Sequence, residues 1–277
     1  MTQTTTPPPA ATRDSHGPHV AWLLRSEWTK LRTVRSTIWS LVALVVVAVG
    51  FTVLFTALIT AQWSDQNPAD RASIRYDPTG LILGVGFNFG QLAICVLGVM
   101  VMASEYSTGM IRASLLAVPK RLPMLFSKSA VFAVVVFVVG EVVAFACFFI
   151  GAAILHSRAP VSIGDSGVLR AIIGAGLYLA VLGVFSLAIG GIVRNTAGAI
   201  TGVIGFVLVL APLAQLLPGS LGDHIHAYLP TEAGHLIGQA HRADGDLLGP
   251  WQGFGVFCLW TAVLLAIAAY LLKRRDA

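Results

Sequence analysis

Six long apolar runs alternate with shorter polar segments along the chain. Each run has at least about 20 residues, the length that a helix needs to cross roughly 30 Å of hydrocarbon. Backbone polar groups in lipid must be satisfied within each segment, so the pattern predicts six membrane-spanning helices. Continuous runs without alternation disfavour a β-barrel. The runs are Thr37–Ala61, Leu81–Ala103, Ser129–Leu155, Ala171–Val193, Ala197–Leu217 and Pro250–Leu272.

The chain before the first run has two different patterns. Residues 1–19 are rich in Thr and Pro and poor in apolar residues, which predicts a disordered tail. In residues 20–36, Leu24, Trp28 and Leu31 recur at helical spacing among basic residues, a pattern typical of the membrane interface. The sequence therefore predicts an all-α polytopic membrane protein with six transmembrane helices and an N-terminal interfacial amphipathic helix.

The composition narrows the class of protein further. Only 11% of the 277 residues are charged, 56% are apolar, and the mean hydropathy is +0.80. Soluble domains carry about 25% charged residues because their surfaces face water. An ordinary soluble protein is therefore excluded, and residues 37–272 are expected to form a transmembrane domain in contact with membrane lipid, followed by a short tail, 273–277.

The basic residues predict the orientation of the spans. Thirteen of the 18 Lys and Arg residues lie in the N-terminal segment, in the loop 104–128, at Arg194 and in the C-terminal tail. The other set of loops holds only five basic residues but eight of the 13 acidic residues. By the positive-inside rule, both termini are expected to be cytoplasmic, with the chain in the plasma membrane. Anionic headgroups account for the net charge of +5, so nucleic acid is not an expected partner.

The sequence contains no motif for catalysis or nucleotide binding. A phosphate-binding loop of the type G-x-x-x-x-G-K is absent, and no Ser/His/Asp set or H-E-x-x-H motif can be assembled. An enzyme, a bound cofactor and a metal site are therefore not expected, although histidines cluster in the outer loop 218–249. Glycines within the runs indicate helix packing, in two small-x-x-x-small ridges formed by Gly86 with Gly90 and by Gly198 with Gly202.

One acidic residue, Glu141, falls inside the six runs. An ionised carboxylate at this depth costs about 3 kcal/mol, so Glu141 should face the bundle interior and be protonated or paired. Gln91 and Asn88 lie at a similar depth and are candidate hydrogen-bond partners. Two interpretations remain open: a polar clamp between helices, which the single ionisable group favours, and a proton relay or substrate contact.

The loop 104–128 is the most informative polar segment. It is short and basic, begins with an acidic residue, and combines helix-like apolar spacing with a proline stop. Such a segment is typical of a compact surface helix against which another protein can push, although a loop bound to lipid headgroups would have the same pattern.

Three segments resemble the permeases of type-2 ATP-binding-cassette (ABC) exporters, especially the bacterial ones, and they occur in the expected order relative to the six spans. Met110 departs from the pattern, since many relatives carry Thr there. The matching residues are the loop run Glu105, Gly109, Arg112, Leu115, Pro119, Arg121 and Lys128, the N-terminal run Ser26–Arg32 with Arg35-Ser36-Thr37, and the outer run Tyr228-Leu229-Pro230 with Ala233-Gly234.

The resemblance implies a permease subunit that has no ATPase of its own. Two copies, or one copy and a related permease, would assemble with two ATP-binding subunits that hold the ATP and Mg²⁺. The first cytoplasmic loop would form a coupling helix against the ATPase, and residues 218–249 would form two short re-entrant helices at the exit. The residues expected to transmit motion are Glu105, Gly109, Arg112, Pro119 and Arg121, with Glu27 and Arg32 as possible partners.

Two other functions remain open at this point. A secondary transporter should show several ionisable groups at the midplane or paired broken helices, and the sequence shows neither. A membrane anchor or immunity protein that transports nothing would have the same pattern of spans as a permease. The substrate is not specified, because the spans are lined mostly by Leu, Val, Ala, Gly and Phe, which suit hydrophobic or amphipathic cargo.

Overall fold

A computed structural model describes residues 20–110, 121–216, 220–242 and 245–274. These residues are 85% helical and contain no strand. They form a short 3-10 turn, Leu236–Gly238, and the following α-helices: α1 (Val20–Thr33), α2 (Arg35–Ala61), α3 (Pro68–Tyr76), α4 (Pro78–Ser107), α5 (Arg121–Leu155), α6 (Val168–Val193), α7 (Thr196–Gln215), α8 (Ser220–Tyr228), α9 (Pro230–His235) and α10 (Pro250–Arg274).

Six of these helices, α2, α4, α5, α6, α7 and α10, are long and apolar enough to cross a membrane. Each contains one of the predicted runs, except that the fifth run extends beyond α7 by Leu216, which follows the helix, and by Leu217, which lies outside the described residues. The prediction of an all-α polytopic membrane protein is confirmed. We call the end of the bundle that carries α1 the inner end, and the end that carries α3, α8 and α9 the outer end.

Two spans are longer toward the inner end than the sequence predicted. Helix α4 continues to Ser107, and α5 begins at Arg121, eight residues before the predicted start at Ser129. Much of the predicted loop 104–128 is therefore helical, and Lys128 lies inside α5. Polar residues can extend a span in this way when other helices bury them, as they do here for Lys128.

Helix α1 lies against α5 and α2. Its buried stripe is formed by Leu23, Glu27 and Leu31, spaced four residues apart. Leu24 and Trp28 are exposed, whereas Leu31, which shares their predicted apolar stripe, is buried. The buried face also carries Glu27, whose ion pair with Lys128 joins α1 to α5, and the tryptophan face is left to the surroundings of the bundle.

Side-chain caps begin three of the helices. Asn67 Oδ1 accepts hydrogen bonds from the backbone of Ala69 and Asp70 at the start of α3. Asp77 Oδ1 accepts one from Gly80 N, 2.9 Å away, at the start of α4, and Asn195 caps α7 in the same way. These caps satisfy amide groups that have no partner within the helix, so they define where each helix starts.

Helices α4 and α6 form the centre of the bundle and are the most buried spans. They approach closely because glycines face one another: a Cβ added at Gly98 would lie 2.5 Å from the carbonyl oxygen of Gly183. A Cβ at Gly190 would lie 2.9 Å from the carbonyl oxygen of Val99. Small residues at such crossings allow backbones to pack by van der Waals contact where lipid supplies no hydrophobic driving force.

One of the two predicted glycine ridges packs as expected. Gly86 and Gly90 of α4 lie against Ala48 of α2: a Cβ added at Gly86 would lie 2.9 Å from the carbonyl oxygen of Ala48, and one at Gly90 would lie 3.1 Å from Ala48 Cβ. The other predicted ridge, Gly198 with Gly202, makes no such helix contact within the described part of the chain, because a Cβ at Gly202 would meet nothing within 4 Å. Gly198 instead serves the N-terminal cap of its own helix.

The outer end is held together by side chains that bind backbone groups. Asp77 Oδ2 accepts hydrogen bonds from the backbone of Ala240 and His241. Arg170 Nη2 donates to the carbonyl oxygens of Gln239 and Ala240, both 2.9 Å away. These contacts tie the starts of α4 and α6 to the chain that follows the 3-10 turn. Within the predicted outer segment 218–249, the described residues form the short helices α8 and α9.

Candidate functional site

Four charged side chains from three helices meet at the inner end. Glu27 and Lys30 come from α1, Glu105 from α4 and Lys128 from α5, and we call this set the charge network. Glu27, Glu105 and Lys128 are 4%, 5% and 2% exposed. Charged residues are rarely buried to this degree unless they are paired.

The pairing within the charge network is close. Lys128 Nζ donates to Glu27 Oε2 at 2.6 Å and to Glu105 Oε1 at 2.7 Å. Lys30 Nζ donates to Glu27 Oε1 at 2.8 Å and to Glu105 Oε1 at 3.3 Å. Each lysine thus bridges the same two carboxylates, so α1 is joined to α4 directly and also through α5.

Local sequence explains why these groups converge. Glu27 lies on the buried stripe of α1 between Leu23 and Leu31, and Lys30 follows it by three residues, close enough to pair along the helix surface. Lys128 lies two turns into α5, between the buried residues Ser127 and Ser129. Two positive and two negative charges leave the buried cluster without net charge, which limits its cost of desolvation.

The charges shift the pKa values of the α1 residues. Burial alone would raise the pKa of Glu27, but Lys128 and Lys30 outweigh it and lower that pKa below its ordinary value. Burial alone would lower the pKa of Lys30, but Glu27 and Glu105 raise it above its ordinary value. Both groups therefore stay charged at neutral pH, and the network acts as a set of ion pairs rather than as a proton donor.

A groove of about 100 Å³ lies beside the charge network, between the junction of α1 with α2 and the inner end of α4. One carboxylate oxygen there, Glu105 Oε2, is buried and has no hydrogen-bond partner among the described residues. The groove is lined by Glu27, Lys30, Leu31, Val34, Ser36, Thr37, Leu97, Met100, Val101, Ser104, Glu105, Met110 and Lys128.

The residues expected to transmit motion have different positions. Glu105 and Glu27 lie in the charge network, whereas Arg32 is exposed on α1 and lies outside it. Gly109 follows α4 with a left-handed φ of 72°, a conformation that glycine adopts without strain. Arg112 and Pro119 lie outside the described residues.

Arg121, the remaining expected residue, begins α5 and contacts the end of the last span. Its Nη1 donates to the carbonyl oxygen of Leu272, 2.8 Å away. Arg194, at the end of α6, donates to the neighbouring carbonyl of Leu271 at 3.2 Å and stacks on the ring of Tyr106 at 4.7 Å. Positive groups at a helix C-terminus are favourable because they meet its unpaired carbonyls and its negative dipole end. The inner ends of α4, α5, α6 and α10 are thus linked.

The polar residues expected at mid-depth do not form one cluster. Gln91 Oε1 accepts a hydrogen bond from the Tyr178 hydroxyl of α6 at 2.5 Å, and Gln91 Nε2 donates to the carbonyl oxygen of Asn88 at 3.1 Å. Both carboxylate oxygens of Glu141 are buried without a hydrogen-bond partner, so the expected pairing with Gln91 or Asn88 is wrong. Glu141 instead packs against Gly176 of α6, on another face of the bundle.

Gln91 and Asn88 also line a polar cavity of about 390 Å³ toward the outer end. A second cavity, of about 380 Å³, lies beside it and shares three lining residues, His226, Glu232 and His235. His226 Nε2 lies 3.5 Å from Glu232 Oε2. Burial lowers the pKa of His235, which favours its neutral form. Within the described chain, no group of three or more His, Cys, Asp or Glu side chains is placed to hold a metal ion.

Three contributors to these sites were given no role from the sequence. Lys30 and Lys128 fall within the runs that resemble the permease family but were otherwise counted as basic residues flanking a span, and Tyr178 was read as part of an apolar run. For Lys128 a signal existed, because it stands between two serines directly before a long apolar stretch. For Tyr178 the sequence gives no signal beyond the hydroxyl itself.

Comparison with known families agrees with this architecture. The sequence model of the family described as ABC-2 family transporter protein matches residues 23–212, which include α1 from Leu23 onward, five of the six spans up to Pro212 and all four residues of the charge network. No curated protein matches the sequence.

Proposed function

The chain belongs to the ABC-2 family of transporter proteins, and we propose that it is the permease subunit of an exporter driven by a separate ATP-binding subunit. The family assignment gives a membrane permease of an ABC transporter. Our proposal goes beyond this family assignment in two respects. These are the outward direction of transport and the use of ATP and Mg²⁺ by a partner subunit.

The observation that carries the proposal is the charge network. It lies where the chain leaves α4 and enters α5, at the two sides of the expected coupling segment. Glu105 is two residues from the end of α4, and Lys128 is seven residues into α5. A push on that segment therefore reaches α1, α4 and α5 together, because one set of ion pairs holds all three helices.

Two arginines extend the same linkage. Arg121 and Arg194 bind the carbonyl oxygens at the end of α10, so displacement of the start of α5 is also felt at the last span. Groups that bind several helix ends at once favour movement as a rigid unit. Such a unit is what a partner ATPase needs in order to open one side of the bundle and close the other.

The outer polar cavities are the proposed end of the transport route. Asn88, Gln91 and Tyr178 supply amide and hydroxyl groups within the bundle, and Val207 and Leu208 supply an apolar wall. A cavity with both kinds of lining suits amphipathic cargo, because the polar part finds hydrogen-bond partners and the apolar part avoids water.

The assembly follows from the exposed surfaces. Helices α2, α7 and α10 leave most of their apolar residues exposed, so lipid and a second permease, either a copy or a related chain, are the proposed neighbours. The distribution of basic residues supports cytoplasmic termini in a bacterial plasma membrane, with the inner end facing the ATPase.

The test is to purify the chain with an ATP-binding subunit from its native membranes and reconstitute both in nanodiscs. We expect a stoichiometric complex whose ATP hydrolysis differs from that of the ATP-binding subunit alone. Glu105→Lys should weaken the association or remove that difference, because a third positive charge would face Lys30 and Lys128.

The matched control is Asp70→Lys, a comparable charge reversal at an exposed position of α3 at the outer end, which should leave the complex intact. If no ATP-binding subunit associates with the wild-type chain, the proposal is wrong, and a membrane anchor without transport becomes the better description.

A further inference from the structure

The groove beside the charge network is polar along one part of its lining and apolar along another. At its inner end it is bordered by charged and hydroxyl side chains, including Lys30, Glu105 and Ser36. Its other wall is formed by apolar side chains of α4, including Leu97 and Val101. Because α2 begins and α4 ends at this level, the charged part lies where lipid headgroups meet the hydrocarbon.

Two residues that line the groove, Lys30 and Glu105, each leave one hydrogen-bonding position unused among the described residues. A lysine ammonium has three N–H donors, and Lys30 uses two of them, for Glu27 and Glu105. Glu105 accepts both of its lysine contacts at Oε1, while Oε2 is buried without a partner among the described residues. A buried acceptor left in this state is costly, so a ligand that donates to Oε2 would be bound favourably.

The net charge of the site limits which ligands it can bind. The two glutamates and two lysines already cancel, so a ligand with a net charge would leave that charge buried. A zwitterion adds no net charge, and its two ends match the two unused groups. The cation would lie at Glu105 Oε2 and the anion at Lys30 Nζ.

We propose that the groove binds the headgroup of a phospholipid that carries a primary amine, of the phosphatidylethanolamine type, from the inner leaflet. The ammonium donates a hydrogen bond to Glu105 Oε2, and the phosphate accepts one from Lys30, beside the Ser36 hydroxyl. The acyl chains follow the apolar wall of α4 at Leu97 and Val101. The bound lipid thereby bridges α1, α2 and α4 and is a resident ligand rather than cargo.

The chemistry distinguishes this headgroup from its common relatives. Phosphatidylcholine carries a quaternary ammonium without an N–H donor, so it cannot satisfy Glu105 Oε2. Phosphatidylglycerol has no cation and brings a net negative charge next to two carboxylates. The free compound O-phosphoethanolamine has both charges but lacks the acyl chains that contact Leu97 and Val101.

The experiment is native mass spectrometry of the purified full-length chain, titrated with the three phospholipids carrying identical acyl chains. We expect phosphatidylethanolamine to bind about tenfold more tightly than phosphatidylcholine, as one charge-assisted hydrogen bond implies. Phosphatidylglycerol should also bind more weakly. O-phosphoethanolamine in millimolar excess should not displace the lipid, and displacement would show that the ligand is a soluble zwitterion instead.

Two kinds of variant keep the test decisive. Glu105→Gln should reduce the preference for phosphatidylethanolamine to near unity. Because this change also breaks ion pairs, Val101→Trp provides a second test that fills the groove without touching a charged residue, and it should abolish the preference. The matched control Val134→Trp adds the same bulk on the exposed face of α5 and should retain the preference.

Equal binding of the three lipids to the wild-type chain would overturn the proposal, as would a preference that survives Val101→Trp. Neither result depends on an ATP-binding subunit or on transport. Failure of the lipid site is therefore separable from failure of the proposed function.

Discussion

Lys128 Nζ lies 2.6 Å from Glu27 Oε2, although the two residues are 101 positions apart in the chain. This contact joins the N-terminal helix to the third long span inside a region closed to solvent. The same ammonium binds Glu105 at the end of the second span. Both ends of the segment expected to meet an ATPase are therefore anchored to one charged centre.

Removal of Lys128 should destabilise the protein strongly. Lys128→Met leaves Glu27 and Glu105 buried with only Lys30 between them, and loss of one partner from a buried pair costs about 3–5 kcal/mol. The apparent Tm in nanodiscs measures the effect. Lys273→Met, at an exposed position of α10, is the control and should leave the apparent Tm unchanged.

The contribution of the charge network should depend on pH at both extremes. The pKa of Glu27 is lowered below the ordinary value of 4.5, so its contribution is complete above pH 4.5 and is lost as the pH falls through the folded-state pKa. The pKa of Lys30 is raised above the ordinary value of 10.5, so its contribution is complete below pH 10.5 and is lost at higher pH.

The measurement is the difference in apparent Tm between the wild type and Glu27→Gln as a function of pH. We expect a constant difference between these limits and a smaller one in acid, where Glu27 becomes neutral. The charged groups that face the Glu27 carboxylate are Lys30 and Lys128, and both are present in the two proteins compared. A difference that grows as the pH falls below 4.5 would contradict the assigned sign.

The hydrogen bond between Tyr178 and Gln91 should stabilise the packing of α4 on α6. Tyr178→Phe removes the donor and leaves Gln91 Oε1 without it, at a cost of about 1 kcal/mol in a membrane protein. Thermal unfolding of Tyr178→Phe is compared with that of Tyr270→Phe, whose side chain is exposed. Equal stability of the two variants would show that the bond contributes nothing.

Glu141→Gln should maintain or raise stability. The carboxylate packs against Gly176 without a hydrogen-bond partner in the described part of the chain, so the neutral amide has nothing to lose and avoids the cost of a buried charge, about 3 kcal/mol. Apparent Tm and ATP-driven transport should both be retained. A loss of transport with unchanged stability would instead support the proton-relay interpretation.

Two glycines provide a matched pair for the packing of the spans. Gly98→Ala places a Cβ 2.5 Å from the backbone carbonyl of Gly183, so α4 and α6 must separate and the apparent Tm should fall. Gly202→Ala meets open space in α7 and should be neutral or stabilising by up to about 1 kcal/mol, because alanine is the better helix former. Equal effects would contradict the described crossing.

The sequence predicted the spans well because hydrocarbon imposes a single requirement, about 20 apolar residues in a row, which one segment meets by itself. It predicted partners poorly, because a partner depends on how helices are rotated about their axes. Glu141 and Gln91 lie at similar depths, yet one faces Gly176 and the other faces Tyr178. Depth can be counted along the chain, whereas rotation is decided by packing.

The charge network shows the same limit. The family resemblance gave a role to Glu27 and Glu105 but none to the lysines that join them, because a lysine near the end of a span usually contacts headgroups or water. Only the crossing of α1, α4 and α5 turns Lys128 into a buried partner. In α1, the buried face combines the ion-paired Glu27 with Leu23 and Leu31.

The central claim is that the charge network transmits work between a partner ATPase and the spans. The most direct measurement is permease-dependent ATP hydrolysis for Glu27→Lys, for Lys128→Glu and for the quadruple variant that adds Lys30→Glu and Glu105→Lys, reconstituted with the ATP-binding subunit in nanodiscs. We expect each single reversal to abolish the permease-dependent hydrolysis and the quadruple variant to recover much of it, because all four ion pairs are then restored with their signs exchanged. Single reversals that hydrolyse ATP at the wild-type rate, in a stably folded complex, would contradict the account.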